Sequence, residues 1–341
     1  MFSQKFKISN ITISNNHKAL TIAEIGINHE GSKDRCIKLI EKASTSGADL
    51  IKLQIIDPDS SYEKKTLSYK LFKKSNLTKE EIFNIYKFAQ EKGIKIFSTL
   101  DKKNFQILEK IKQPCYKISS SLFYDFYLIK DILKKNKPVF ISTGVSDVDD
   151  IETLLKILKK EKNKKIVILH ARSLYPTNIS KLNLSRISYI KSKFGVIPGF
   201  SDHSLGDDAV LASLHYGAKV IEKHFTLDNK RPNYDHHISL NPKEFKNMVS
   251  EIRKNEEMIG NFDFKVFKHS PDLKKIKKVI RSYKLIKSVN KNTVLKKTDF
   301  KLIRTNSTKN IVKFSEIVPK ILKKKTSKKI KSGAFLKPSS F

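Results

Sequence analysis

Two histidines, His203 and His224, end two successive apolar runs at residues 196–203 and 220–225. In extended backbone, residues i and i+2 share a face, so Ser201 points with His203 and Glu222 points with His224. If the two runs are neighbouring strands, two imidazoles, a hydroxyl and a carboxylate converge at one end of a sheet. Such a donor set suits a divalent metal ion beside an anionic substrate. A single histidine at a strand end is ordinarily a satisfied structural residue, whereas two at matched ends of adjacent strands point to a metal pair.

Other polar residues interrupt or end apolar runs elsewhere: Glu24 and Asn28, Lys52 and Gln54, Thr99, Lys117, Ser142 and His170. Charged or hydrogen-bonding groups at the ends of nearly every strand are costly unless they meet a ligand. Lys52 and Lys117 stand apart from the other lysines because each interrupts a strand that should be buried. They are candidates to neutralise an anionic substrate, with Gln54, Thr99, Ser142 and Ser201 as uncharged donors. His170 reads as structural.

The elements that must position these groups follow from periodicity. β-branched runs at 19–28, 49–56, 94–100, 115–119, 138–143, 165–171, 196–203 and 220–225 predict eight strands. Amphipathic stretches between and after them, among them 33–46, 79–92, 149–160, 207–216 and 242–259, predict helices. Eight βα units over about 250 residues point to an α/β fold, a closed (β/α)8 TIM barrel, with a doubly wound sheet as the alternative. The polar strand ends are C-terminal ends, where such barrels carry their active sites. The expected domains are a barrel over 1–260, a charged linker over 261–280, and a small β-rich module over 281–341.

The chain has 341 residues, 39% of them hydrophobic, enough for a large core. Cys36 and Cys115 lack metal-binding spacing and read as buried thiols in a reducing compartment. No apolar leader and no run approaching about 18 apolar residues is present, so a cytoplasmic location without a membrane partner is expected. The formal charge of +35 comes from 62 lysines against 7 arginines spread over the whole chain. Nucleic-acid readers lean on arginine forks and aromatic platforms, which are not clustered here. A lysine-rich solvated surface is therefore expected, and a polyanion-binding protein is the alternative from another class.

Together the motifs resemble the sialic acid (nonulosonic acid) synthase family, which condenses phosphoenolpyruvate with an N-acylated hexosamine. The matching segments are Ile22-Ala-Glu-Ile-Gly-Ile-Asn-His29, Lys52-Leu-Gln54, Phe97-Ser-Thr99, Tyr116-Lys-Ile118, Ser142-Thr-Gly144 and Leu169-His170 with Tyr175-Pro176. They continue with Gly199-Phe-Ser-Asp-His203, Gly217-Ala218, Glu222-Lys-His-Phe-Thr-Leu227 and the stretch Arg231-Pro-Asn-Tyr-Asp235. The tail from Arg281 is similar to the family's antifreeze-like (SAF) domain.

The resemblance implies a TIM barrel with a SAF domain and a Mn²⁺ or Mg²⁺ ion on His203 and His224. It implies phosphoenolpyruvate contacts at Lys52, Gln54, Thr99, Lys117, Ser120, Ser142, Ser173 and Ser201, and sugar contacts at Asn28, Tyr175 and Arg304. It assigns Glu24 and Asp235 acid/base or sugar-hydroxyl roles, with Glu222 orienting a histidine or water. The implied partners are the two small-molecule substrates and a second copy of the chain, in a domain-swapped homodimer whose Arg304 reaches across. N-acetylmannosamine is the default acceptor, with legionaminic or pseudaminic acid precursors close behind. A Schiff-base aldolase, with Lys117 or Lys52 as nucleophile, is the alternative mechanism on the same barrel.

Three departures from the family pattern bear on the acceptor. Leu122 stands where many members carry an acidic residue, and Arg172 adds a charge after Leu169-His-Ala. Arg304 lacks the following Pro-Gly.

Overall fold

The computed structural model describes residues 1–260, 281–304, 319–321 and 323–341, and the predicted linker at 261–280 lies outside them. The chain divides into two compact units, Met1–Gly260 and Asn261–Phe341.

The first unit opens with an antiparallel hairpin, β1 (Lys5–Ile8) and β2 (Ile11–Ser14). Eight parallel strands follow: β3 (Leu20–Gly26), β4 (Leu50–Ile55), β5 (Ile96–Leu100), β6 (Tyr116–Ile118), β7 (Val139–Ser142), β8 (Ile166–Ala171), β9 (Ile197–Asp202) and β10 (Val220–His224). They close into a barrel in sequence order, with β10 pairing back onto β3. The fold is a TIM barrel.

Strand parity explains both the core and the site. Leu20, Ile22, Leu50, Phe97, Phe140, Val167, Ile197 and Val220 fill the barrel interior in one apolar cluster. Phe6, Ile8 and Ile13 of the hairpin join that cluster and stopper the N-terminal end. Residues of the opposite parity, such as Ala23, Ile51, Ile118, Ile141, Ile168 and Ile221, face outward and pack against the helices. Continuing inward parity toward the strand ends brings up Glu24, Lys52, Gln54, Thr99, Lys117, Ser142, Ser201 and Glu222. The barrel is thus apolar at its base and polar at its mouth.

Gly199 has a steric reason to lack a side chain: a Cβ there would lie 2.4 Å from Cδ2 of Leu169 and 2.6 Å from the Val220 carbonyl oxygen. The surrounding helices start where the sequence supplies capping boxes. Thr78 and Glu81 begin Lys79–Glu91, and Asn241 and Glu244 begin Pro242–Ile259.

His170 has the outward parity. Its Nε2 lies 2.6 Å from the Leu182 carbonyl oxygen and its ring stacks on Phe200. Lys223 also points away from the barrel interior and is held by Asp202 at 2.7 Å, both side chains being fully buried. Cys36 and Cys115 are buried free thiols. Among the described residues, no helix is long and apolar enough to cross a membrane.

In the second unit, β11 (Arg281–Leu285) pairs antiparallel with β12 (Phe300–Arg304). Further bridges join Lys284 to Phe335, Val289 to Ile330 and Val294 to Lys325. Leu285, Val289, Leu295, Ile321, Ile330 and Leu336 form its core. This small antiparallel unit is of the kind that the SAF resemblance implies.

Candidate active site

At the barrel mouth, four charged side chains with almost no solvent exposure meet. Glu222 on β10 accepts hydrogen bonds from Nζ of Lys52 on β4 at 3.0 Å and from Ser201 on β9 at 2.9 Å. Lys117 on β6 reaches both of its carboxylate oxygens, at 2.7 and 2.9 Å. Lys52 also pairs with Glu24 on β3 at 2.9 Å, and Gln54 donates to Glu24 at 2.7 Å. The register makes this possible, since Lys52 lies beside Glu24, Thr99 beside Lys117, and Glu222 beside Ser201.

Burial sets the protonation of this cluster. It raises Glu24 to about 7 against the pull of Lys52. It lowers Lys117 to about 8, with Glu222 opposing. For Glu222, burial works against the charge, but Lys117 and Lys52 hold the carboxylate far below its usual range. For Lys52, burial is outweighed by Glu222 and Glu24, which hold it charged. Two cations and two carboxylates balance at the mouth, and the two groups with values near neutrality, Glu24 and Lys117, are the ones that can exchange a proton.

Two hydroxyls beside the cluster, Thr99 Oγ1 and Ser142 Oγ, are buried without a hydrogen-bond partner. Buried donors left unpaired are rare in folded proteins, so such a pair facing a charged mouth marks a place for ligand oxygens. Gly144, just after β7, brings two more serines close. Its amide donates to Ser120 Oγ at 2.9 Å, and a Cβ there would lie 2.3 Å from Ser173 Oγ and 2.7 Å from Ser120 Oγ.

His203 and His224 lie side by side, their ring centroids 5.5 Å apart, with the Tyr175 ring 4.2 Å from His203. Burial lowers His203 to about 4 and takes His224 well below its usual range, so both are neutral imidazoles at pH 7. Nδ1 of His203 lies 2.7 Å from the Arg172 carbonyl, which only accepts, so Nδ1 carries the proton and Nε2 keeps its lone pair. Nδ1 of His224 is buried without a hydrogen-bond partner, 3.7 Å from Oδ2 of Asp235. Among the described residues, no three His, Cys, Asp or Glu side chains gather as a metal cluster. The two neutral rings, one with an orphaned nitrogen, fit an ion whose other positions go to water and substrate oxygens.

Asp235 lies on the loop after β10, and burial raises its carboxyl to about 6. Sequence reasoning missed what anchors this loop. Glu30 accepts from Arg231 Nε and Nη2 at 2.9 and 3.0 Å, from His236 Nε2 at 3.1 Å, and from Arg35. Thr226 Oγ1 lies 2.7 Å from the other ring nitrogen of His236. The signal was an acidic residue directly after the first strand's motif and an arginine four residues before Asp235. Asn28 serves the same loop: its amide donates to Phe225 O and Ser239 Oγ at 3.0 Å, and its oxygen accepts from the Asp235 amide at 3.2 Å.

The barrel thus brings together Glu24, Lys52, Gln54, Thr99, Lys117, Ser142, Ser201 and Glu222, with His203, His224, Tyr175 and Asp235 adjoining, and Ser120 and Ser173 at Gly144. Arg304 lies exposed on β12 of the second unit, and the turn after it is outside the described residues. Leu122 is half-buried and packs against the barrel's outer core. With Ile56 and Tyr62 it lines a cavity of about 530 Å³.

A model of the NeuB family matches residues 39–264. An uncharacterised protein of Methanocaldococcus jannaschii is 39% identical over 259 residues, covering 76% of this chain and 77% of its own. Pseudaminic acid synthase of Campylobacter jejuni is 33% identical over 344 residues, covering 95% of this chain and 97% of its own. The crystal structure of N-acetylneuraminic acid synthetase from Leptospira borgpetersenii, in complex with citrate, superposes with a TM-score of 0.75 at 31% identity. That match covers 81% of this chain and 96% of the other. The chain therefore belongs to the NeuB family, a family of nonulosonic acid synthases.

Proposed function

We propose that this enzyme condenses phosphoenolpyruvate with an N-acylated hexosamine, adding water and releasing phosphate. The observation that carries this reading is the mouth itself: two buried cations, Lys52 and Lys117, beside the unpartnered hydroxyls of Thr99 and Ser142 and next to a neutral histidine pair. Phosphoenolpyruvate brings a carboxylate and a phosphate into this partly dry site. Lys52 and Lys117 take these anionic groups, and Gln54, Thr99, Ser120, Ser142, Ser173 and Ser201 orient them.

In the reaction, C3 of phosphoenolpyruvate bonds to the aldehyde carbon of the open-chain sugar, leaving cationic character at C2. Water adds at C2, and the bond between C2 and the phosphate oxygen breaks, releasing inorganic phosphate. Glu24, with a value of about 7, can accept and return a proton at neutral pH. Asp235, at about 6, faces the same mouth from its clamped loop and serves the sugar hydroxyls with Tyr175. A Mn²⁺ or Mg²⁺ ion held by His203 and His224 would polarise the aldehyde as a Lewis acid. Glu222 holds Lys52, Lys117 and Ser201 in place.

N-acetylmannosamine is the simplest acceptor of this class. Leu122 stands where many members of the family carry an acidic residue, which makes a deoxygenated diacetamido hexose the acceptor to test beside N-acetylmannosamine; the cavity that Leu122 lines with Ile56 and Tyr62 also carries Ser60, Asp101, Lys102 and Asp125. A second copy supplying Arg304 belongs to the same reading, and complementation between Arg304→Ala and His203→Ala chains checks it. The lowered value of Lys117 also suits a Schiff-base lysine, which is the second reading. Borohydride trapping with pyruvate separates the two, since a synthase is not labelled.

The decisive experiment is phosphate release from phosphoenolpyruvate with Mn²⁺ and a panel of N-acetylated and diacetamido hexoses, with and without chelator. Release that needs one sugar and is lost with chelator is expected. No release with any sugar, from folded protein, overturns the proposal.

A further inference from the structure

The barrel unit contains five arginines, Arg35, Arg172, Arg186, Arg231 and Arg253. Three are spoken for by carboxylates: Arg35 and Arg231 pair with Glu30, and Arg253 pairs with Glu256 and Asp49. The other two both line one cavity of about 470 Å³, whose wall also includes Gly144, Ser146, Ser173 and Tyr124. Arg186 donates to the Ser146 carbonyl at 3.2 Å, and among the described residues neither guanidinium has a carboxylate within ion-pair distance. The Ser146 hydroxyl is buried there without a hydrogen-bond partner.

In a chain that meets its need for surface charge with lysine, two half-buried arginines on one cavity are not explained by surface composition. Burial, and then the facing charge of Arg172, hold the Arg186 guanidinium below its ordinary value. Because neither guanidinium is ion-paired among the described residues, donor edges stay open to an incoming anion, and the planar guanidinium fork matches a phosphate oxyanion.

We propose that Arg172 and Arg186 form a phosphate subsite beside the reaction centre, distinct from the Lys52 and Lys117 pair. The position suits exchange with the centre, because Gly144 and Ser173 border both: Gly144 carries Ser120 on its amide, and the Arg172 carbonyl holds His203. Asp147 and Asp150 also line the cavity. Asp147 spends one oxygen on the amides of Asp149 and Asp150, and Asp150 accepts from Tyr124 OH at 2.8 Å. Their charges offset the arginines, so the subsite holds phosphate weakly and lets it go. Weak, exchangeable binding is what a released product needs, and the same chemistry would serve a phosphate ester carried by the acceptor.

This inference deepens the proposed synthase reading, and its test does not depend on turnover. Inorganic phosphate is titrated by calorimetry into the full-length protein saturated with phosphoenolpyruvate. The same titration is run on Arg172→Ala and on Arg172→Ala/Arg186→Ala, each checked for an unchanged thermal midpoint. Arg172→Ala leaves the bond from Arg186 to Ser146 intact, so it keeps the test readable if the double variant folds poorly. Expected is one saturable millimolar site in the parent, weakened at least ~10-fold in the variants, as for loss of a charge-assisted contact. Equal binding in parent and variants, or no binding beyond phosphoenolpyruvate, overturns the subsite.

If phosphoenolpyruvate itself does not bind, the synthase reading falls. The phosphate titration without it still decides the subsite, through its dependence on the two arginines. A parallel titration with N-acetylmannosamine 6-phosphate separates the sources. Arginine-dependent binding of the ester tighter than that of inorganic phosphate assigns the subsite to an acceptor phosphate, and the reverse order assigns it to the released product.

Discussion

Replacing Glu222 with Gln tests whether the mouth is held together by charge. In the parent, Lys52 and Lys117 are balanced by Glu24 and Glu222, and all four side chains are buried. Glu222→Gln keeps the shape but leaves two ammonium groups facing one carboxylate. Of the two contacts of Lys117, at 2.7 and 2.9 Å, only the one to the remaining amide oxygen can persist, without its charge, and Lys52 keeps an ion pair with Glu24 alone. Removing one partner from a buried ionic cluster costs about 3–5 kcal/mol. At roughly 2–4 °C per kcal/mol for a unit of this size, the thermal midpoint should fall by roughly 6–20 °C.

The sign of the pH dependence follows from Lys117. Its folded value is already depressed to about 8 from 10.5, and without Glu222 it drops further. Between its folded and unfolded values the unfolded chain binds more protons, so stability rises with pH in that window. The window opens at lower pH in the variant, so its deficit should narrow between pH 7 and pH 9. Denaturant unfolding of both proteins at the two pH values is the assay. A deficit below about 1 kcal/mol at pH 7, or one unchanged at pH 9, would refute an uncompensated buried charge as its cause.

Three further outcomes are expected. His203→Ala or His224→Ala should abolish metal-dependent turnover and the Mn²⁺-induced rise in thermal midpoint while the fold persists; an unchanged rise in either removes that residue from the metal pair. Glu24 titrates at about 7 in the fold against 4.5 unfolded, so its protonated form contributes stability that is full below pH 4.5 and lost as pH rises through 7. Glu24→Gln should flatten the stability profile across that window, and an unaltered slope would deny Glu24 its raised value. Gly199→Ala should destabilise the barrel by about 1–3 kcal/mol through overpacking against Leu169 and the Val220 carbonyl, measured by chemical unfolding; a neutral substitution would mean that this contact relaxes freely.

The barrel strands were legible because, in all but β8, the inward-facing apolar run breaks at a polar residue of the same parity. Lys52 follows Leu50, Lys117 follows Cys115, and Glu222 follows Val220, each by two residues. The same parity separates His170 from Val167 and Leu169 and turns it outward. Less legible was the N-terminal hairpin. Its short strands carry alternation over four residues each, and their role as a stopper depends on a barrel end formed by residues far along the chain. The Glu30 clamp was hidden for a related reason, since Arg231 lies about two hundred residues away from it.

Residue types and their spacing thus determined the fold class, the end of the barrel that carries chemistry, and the membership of the charged mouth, because parity along a strand is a local property of extended backbone. Tertiary structure decided how those groups share protons and partners. Glu222 gathers Lys52, Lys117 and Ser201 from three other strands, Thr99 and Ser142 are left without partners, and two arginines fourteen positions apart meet on one cavity. Distances between side chains on different strands, and the burial that shifts their charges, exist only once the barrel has closed.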